Sequence, residues 1–203
     1  MIDALTAIRR RRSVRVLVPP GPSSEELTSM LEAAVAAPDH GRCRPWRFIV
    51  LRKENKAAFA DVFAQAYIQR CQRLGRVPDP SQQAQERSKL DRAPVVVVVA
   101  CTMKHLDKIP IWEQRAAVAA ATQNLLVAAT AFGYGSMWRT GPASSDPLIK
   151  AQLGLGDRDT IEAFVYLGTV PSEHRPPPPR SRSLNEVAWE WSPQHVVAES
   201  GTA

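Results

Sequence analysis

The chain has 203 residues, of which 44% are hydrophobic, and it carries a formal net charge of +6. This length suits one domain with a core of its own, and no apolar run reaches the roughly 20 residues that cross a membrane. Three widely separated cysteines without a CxxC pair argue against a secreted disulfide scaffold and favour a reducing compartment, so we expect a cytoplasmic protein.

The predicted elements begin with a short helix over residues 3–10, and the proline-rich turn 19–22 ends whatever precedes it. Ser23 or Ser24 then caps a second helix, which Pro38 ends. The remaining elements are, in chain order, a strand over 46–51, an amphipathic helix over 56–74, a loop over 77–85, a helix through Leu90, a strand over 95–101, an alanine-rich helix over 116–132, a strand over 136–139, a short helix over 147–153 and a strand over 162–167.

Helices interspersed with four strands predict an α+β sandwich around one sheet. We expect a single domain over residues 1–203 with a proline-rich extension from about residue 171. Within it, residues 176–179 have the composition of polyproline-like chain, which is typical of a spacer or of an arm that wraps a dimer partner.

The positive charge is concentrated in local clusters at residues 9–15, 42–47 and 175–182. These clusters do not form one long stripe with interleaved aromatic residues, so nucleic-acid binding is not expected as the main function. They fit recognition of a small anion better, and the remaining alternative is a generally basic, solvated surface.

The segment from Arg11 to Arg15 carries the first candidate site. Alternate residues of an extended segment point the same way, so Arg11, Ser13 and Arg15 can face one ligand, with Arg12 between them. Fixed cations and short hydroxyl donors suit a phosphate. The alternative is a solvated run of arginines.

A second candidate lies around His40, which follows the small residues that begin at Ala36. His40 could donate to a phosphate, a hydroxyl or a ring edge, or it could be a loop histidine satisfied by backbone. The other three histidines are scattered along the chain, so no metal site is expected.

A third candidate follows the glycine turn at Gly133 and Gly135. Trp138, Arg139 and Thr140 stand there at the end of a predicted strand, where backbone groups and a cation can meet a cofactor. The alternative is a core tryptophan beside a surface ion pair. Residues 112–114 either line a substrate pocket or form the first turn of a helix, and we favour the helix turn.

Three segments together resemble the nitroreductase superfamily of FMN enzymes, and most of all its small YdjA-like branch. The resemblance lies in the order and separation of residues 11–15, of 38–40 running into 45–48, and of 133–140. The resemblance runs from residue 2 to about residue 191. It implies an α/β/α sandwich around a central mixed sheet, built as an intertwined homodimer.

The resemblance also implies a site. It makes FMN the cofactor, bound by Arg11, Arg12, Ser13, Arg15, Ala36, His40, Trp138, Arg139 and Thr140. It assigns residues 11–15, Ala36 and His40 to the partner subunit and residues 138–140 to the near one. It places NADH or NADPH, the electron donor, along Ala128, Ala129, Thr130, Ala131, Phe132 and Gly133.

No nucleophile, metal-binding or dinucleotide-binding motif is present in the sequence, so we expect flavin N5 rather than a side chain to carry the chemistry. The implied reaction is ping-pong reduction of nitroaromatic or quinone-like acceptors by NAD(P)H. The alternatives are a non-catalytic flavin sensor, or a flavin-fragmenting or dehalogenating member of the same superfamily.

Overall fold

A four-stranded sheet divides the molecule into two helical layers. The coordinates are a computed structural model, which describes residues 2–174 and 183–191. The strands are β1 (Trp46–Arg52), β2 (Val95–Cys101), β3 (Gly135–Arg139) and β4 (Thr160–Gly168), in the order β1-β2-β4-β3. All neighbouring strands pair antiparallel, and a parallel contribution comes from one bridge between Ser13 and Ser136.

The sequence of β2 explains why it lies in the middle of the fold. Its five consecutive valines are at most 4% exposed, so both faces of the strand are covered. β-branched side chains favour the pleated strand, and burial on both faces gives a continuous apolar run rather than an alternating one.

One helical layer consists of α1 (Ala4–Arg10), α2 (Ser24–Val35) and α5 (Ile111–Ala131). Leu27 and Met30 of α2 and Leu125 of α5 pack with Val97 of β2 in one core cluster. A capping box starts α2, because the Ser23 hydroxyl accepts from the Glu26 amide and the Glu26 carboxylate accepts from the Ser23 amide.

The opposite layer consists of α3 (Lys53–Arg73), α4 (Pro80–Arg87) and α6 (Pro147–Gln152). Phe63 of α3 meets Phe164 of β4 edge to face, with ring centroids 5.5 Å apart. This second core cluster completes the α/β/α sandwich, so the predicted fold class is confirmed.

Two predicted boundaries are wrong. The predicted loop over 77–85 contains α4, which Asp79 caps by accepting from the Ser81 amide and which has Pro80 at its first position. The alanine-rich helix begins at Ile111 rather than at residue 116. The predicted polyproline-like stretch 176–179 and the arginines of the 175–182 cluster lie outside the described residues.

All three cysteines are buried and free of disulfides. Burial raises the pKa of the Cys101 thiol to about 12, so this thiol stays protonated. In the two described stretches, no helix is both long and apolar enough to span a bilayer.

Candidate functional site

The N-terminal segment after α1 lies beside β3 of the same chain. Ser13 forms a bridge with Ser136, and the Val14 amide donates to the Ser136 carbonyl at 3.0 Å. Residues 11–15 and 138–140 therefore adjoin within one subunit. The expectation that residues 11–15 come from the partner chain is wrong, because this backbone pairing already joins them to their own β3.

Local contacts hold the segment extended. The Arg12 guanidinium folds back onto the end of α1, donating to the carbonyls of Arg9 at 2.6 Å and Arg11 at 2.7 Å. Val14 is buried, whereas Ser13 and Arg15 are exposed. The predicted alternation is thus present, with Ser13 and Arg15 outward and Arg12 engaged in ending the helix.

Arg139 lies at the end of β3 with two other cations nearby. Burial lowers the pKa of its guanidinium, and the positive charges of Arg92 and Arg15 lower it further. Arg92 ends the 3₁₀ turn Ser88–Arg92, which follows α4. Among the described residues Arg139 forms no salt bridge, so the alternative of a surface ion pair is wrong.

Two buried polar atoms of β3 have no hydrogen-bond partner among the described residues. They are the hydroxyl oxygen of Ser136 and Nε of Arg139. The two side chains point to opposite faces of the sheet, because Ser136 pairs with Leu167 on the α2–α5 side and Arg139 pairs with Phe164 on the α3 side. Buried polar atoms are normally paired, so the unpaired Nε of Arg139 is a donor available to a ligand. With Arg15 and Arg92 close to Arg139, the arrangement suits an anion.

The flanking residues of β3 have different roles. The Trp138 indole donates to the Glu162 carbonyl at 3.0 Å, and its ring packs against the core layer of α2 and α5. Thr140 is exposed beyond the strand end. The tryptophan side chain therefore serves packing, whereas Arg139 and Thr140 border the surface beside residues 11–15.

His40 belongs to a second group of site residues. Its Nδ1 lies 2.5 Å from a carboxylate oxygen of Glu113, and 57% of its side chain is exposed. Together with Pro38, Trp112 and neighbouring alanines of α5, the pair lines a recess of about 270 Å³. The alternative interpretation was a loop histidine whose ring is hydrogen-bonded to backbone. The ring of His40 instead contacts the Glu113 carboxylate.

The residues predicted around Ala36 and at 112–114 are now placed. Ala36 is the exposed C-cap of α2, four residues before His40. Residues 112–114 form the first turn of α5, as we favoured, and Glu113 also reaches His40. His40 thus lies at the start of α5, whereas the turn leading into β3 lies at its other end.

The predicted nicotinamide segment is the last turn of α5 and the turn after it. Ala128, Ala131 and Phe132 line a cavity of about 450 Å³ formed with α1 and α2. Ala129 is completely buried, and the Thr130 hydroxyl donates to the Leu126 carbonyl. Gly133 has a φ of 87°, which its lack of Cβ permits.

Two residues near these groups, Ser136 and Arg92, were missed by sequence reasoning, as was the contact of Glu113 with His40. Ser136 stands within the third motif, where its unpaired hydroxyl gives no sequence signal. Arg92 and Glu113 approach their partners only through the fold. In the described part of the chain, no group of three or more histidines, cysteines or carboxylates is placed to hold a metal ion.

Comparison with known proteins gives consistent matches. A sequence model of the nitroreductase family matches residues 8–169. The chain is 33% identical over 168 residues to "Putative NAD(P)H nitroreductase YdjA" of Escherichia coli strain K12, an alignment that covers 83% of this chain and 88% of that protein.

Solved structures share the fold. A nitroreductase-like family protein from Bacillus cereus superimposes with a TM-score of 0.77 at 22% identity, over 94% of this chain and 97% of that chain. A mutant of the FMN and NADPH-dependent nitroreductase NfnB from sphigopyxis sp. strain HMH gives a TM-score of 0.72 at 23% identity, over 95% and 100% of the two chains. At these identities the two structures support the fold.

Proposed function

This chain belongs to the nitroreductase family, and we propose on that basis that it is an NAD(P)H-dependent oxidoreductase with FMN as its cofactor. The similar proteins named above include an NAD(P)H nitroreductase and an FMN and NADPH-dependent one. The function assigned to the chain rests on the family together with the chemistry of its own residues.

The observation that carries the proposal is the unpartnered, buried Nε of Arg139 at the end of β3, with Arg15 and Arg92 nearby. A phosphate ester accepts hydrogen bonds from guanidinium donors such as this one. The positive charges of Arg15 and Arg92 attract the negative charge of the phosphate. The residues therefore fit the phosphate end of FMN. Arg11 and Ser13 border the same place and complete the proposed binding set.

When bound, FMN would supply the two-electron chemistry that links NAD(P)H to an electron-poor acceptor in the proposed ping-pong cycle. The protein holds the cofactor and fixes the charges around it. Arg15 and Arg139 would provide positive charge beside the cofactor. Residues 128–133 remain our proposed nicotinamide region.

We propose that the site is completed in a homodimer. One subunit would supply residues 11–15 and 138–140, and the second would supply the group around Ala36 and His40. The placement of His40 and β3 at different ends of α5 supports this division. Three free cysteines support a cytoplasmic location, and nitroaromatics and quinones are the proposed acceptors.

The decisive experiment is an absorption spectrum of the purified protein, followed by anaerobic addition of NADH or NADPH. We expect flavin bands that bleach with either donor and return when menadione or a nitroaromatic compound is added. A colourless protein that takes up no FMN contradicts the proposal. Bound flavin that does not bleach would instead identify a non-catalytic flavin-binding protein.

A further inference from the structure

A cavity of about 550 Å³ lies between the loop after β2 and the first turn of α5. Leu106, Ile111 and Trp112 line it and are 41–68% exposed, so an apolar surface is open to solvent there. A volume of this size accommodates one aromatic ring with its substituents.

The cavity wall is held by a buried side chain. Gln114 is 1% exposed, and its amide donates to the carbonyls of Lys104 at 2.8 Å and Ile109 at 3.2 Å while accepting from the Lys104 amide at 2.9 Å. Asp159 fixes the same loop by accepting from the Met103 amide at 3.0 Å. The wall is therefore pre-formed, which lowers the entropy cost of binding.

The polar side chains of the cavity are mainly basic. Lys104, His105 and Arg158 line it, and Asp107 is its one acidic lining residue among those described. Lys104 is directed at the Cys43 carbonyl, whereas Arg158 is exposed and makes no side-chain hydrogen bond with any described residue. Arg158 is thus free to pair with an anionic ligand.

Trp112 connects this cavity to the proposed cofactor site. Its side chain lines both the cavity and the recess that contains His40 and Glu113. A ring stacked near Trp112 would therefore lie next to the place where His40 is proposed to contact FMN.

We propose that this cavity is the acceptor site and that it selects aromatic acceptors carrying a carboxylate. The assignment rests on the proposed reductase function. The exposed apolar surface around Trp112 would hold the reducible ring, and Arg158 would pair with the carboxylate. Lys104 adds positive charge at the same place.

Two acceptors with the same ring test the idea: 4-nitrobenzoate, which carries a charge, and 4-nitrobenzamide, which does not. The quantity to measure is the ratio of their kcat/KM values. We expect Arg158→Gln to lower the benzoate-to-benzamide ratio about three- to tenfold, through KM, and Arg158→Glu to lower it further.

Lys108→Gln is the matched control, because Lys108 is an exposed cation on the loop after β2, which borders the cavity, but does not itself line the cavity. It should leave the ratio unchanged. An unchanged ratio in Arg158→Gln overturns the proposal, as does an equal drop in Lys108→Gln, which would indicate only the general positive field of the protein.

Calorimetry with benzoate and benzamide gives a readout independent of turnover. Benzoate should bind more tightly, and Arg158→Gln should remove that preference by the same factor. If the wild-type protein shows no NAD(P)H oxidation with menadione, the reductase function fails. The benzoate preference still decides whether the cavity recognises aromatic carboxylates.

Discussion

Arg139 is a cation in a place that disfavours cations. Burial and the neighbouring charges of Arg92 and Arg15 all act against its charged form. A bound anion reverses this balance, because it adds an opposite charge and a partner for the unpaired Nε. We therefore expect Arg139 to lower the stability of the empty protein and to favour ligand binding.

Replacing Arg139 by Met should separate these two effects. We expect FMN affinity to fall about tenfold to a hundredfold, which corresponds to the roughly 1.5–3 kcal/mol of a lost charge-assisted hydrogen bond. The melting temperature of the FMN-free protein should stay the same or rise, since a repelled charge is removed. Fluorescence titration with FMN and thermal unfolding measure the two quantities, and a lower melting temperature of the free protein would contradict our account.

Arg11 and Arg9 form a second matched pair. Arg11 is half-buried at the end of α1 beside the proposed phosphate site, whereas Arg9 is exposed on the helix. Arg11→Ala should weaken FMN retention about tenfold or more, and Arg9→Ala should have little effect. Gel filtration followed by flavin quantification tests this, and equal losses would instead indicate a diffuse basic patch.

The motif residues of the site were predictable because their signals are local. Arg11, Ser13 and Arg15 alternate along one extended segment, and residues 138–140 follow a glycine turn. The contact of His40 with Glu113 joins residues 73 positions apart, and no local sequence pattern around either residue predicts it. The proximity of Arg92 to Arg139 depends likewise on how a 3₁₀ turn packs on a strand.

At the scale of elements, Asp146 joins α3 to α6. It is 2% exposed, caps α6 by accepting from the Leu148 amide at 3.0 Å, and accepts from Arg70 and Arg73 of α3 at 3.3 Å each. One carboxylate thus satisfies a helix terminus and pairs with two cations, of which Arg70 also lies 4.0 Å from Glu86. The two helices are fixed against each other at that point.

Substitutions at Asp146 should be graded. Asp146→Ala removes the cap, takes from Arg73 its carboxylate partner and leaves Arg70 with Glu86, so we expect a loss of about 2–3 kcal/mol in the free energy of unfolding. Asp146→Asn keeps the capping oxygen and should lose about half as much. Urea denaturation measures both, and equal losses would mean that the cap contributes nothing beyond the charge.

The elements themselves were largely predictable from periodicity and composition. The valine run predicts β2 with its correct ends, because a short run of β-branched apolar residues is typical of a strand that is buried on both faces. The loop predicted around Pro80 is wrong because proline excludes only the interior of a helix. At the first helical position the amide hydrogen has no partner within the helix, so proline is tolerated there. The alanine pattern alone starts α5 at residue 116, because Trp112 and Glu113 break it, and the helix turn favoured at 112–114 proves to be the first turn of the same helix.

At the scale of the whole molecule, residues 183–191 expose an apolar surface. Leu184, Val187, Trp189 and Trp191 are 57–76% exposed, although such side chains are normally covered. A second copy of the chain would cover them in the proposed homodimer. This surface gives the dimer a test that does not depend on the cofactor.

Replacing Trp189 and Trp191 together by alanine should weaken the dimer, because each buried aromatic side chain contributes a large apolar area. We expect the wild type to sediment as a dimer. The double variant should dissociate into monomers at protein concentrations at least tenfold higher than those at which the wild-type dimer dissociates. Val77→Ala is the control, since Val77 is 91% exposed in the turn before α4. A wild-type protein that is monomeric while fully loaded with FMN would refute the shared site.

The backbone pairing of the N-terminal segment also has a kinetic consequence. Residues 13–18 are joined to the sheet by three main-chain hydrogen bonds that the structure describes, between Val14 and Ser136 and, reciprocally, between Val18 and Thr169. So short a tether opens far more often than the whole domain unfolds. A ligand bound between this segment and Arg139 stabilises the paired state of the segment. The segment should therefore open less often while the ligand is bound. The amide protons of Val14 and Val18 should therefore exchange with deuterium more slowly as FMN is added, reporting cofactor loading without any measurement of catalysis.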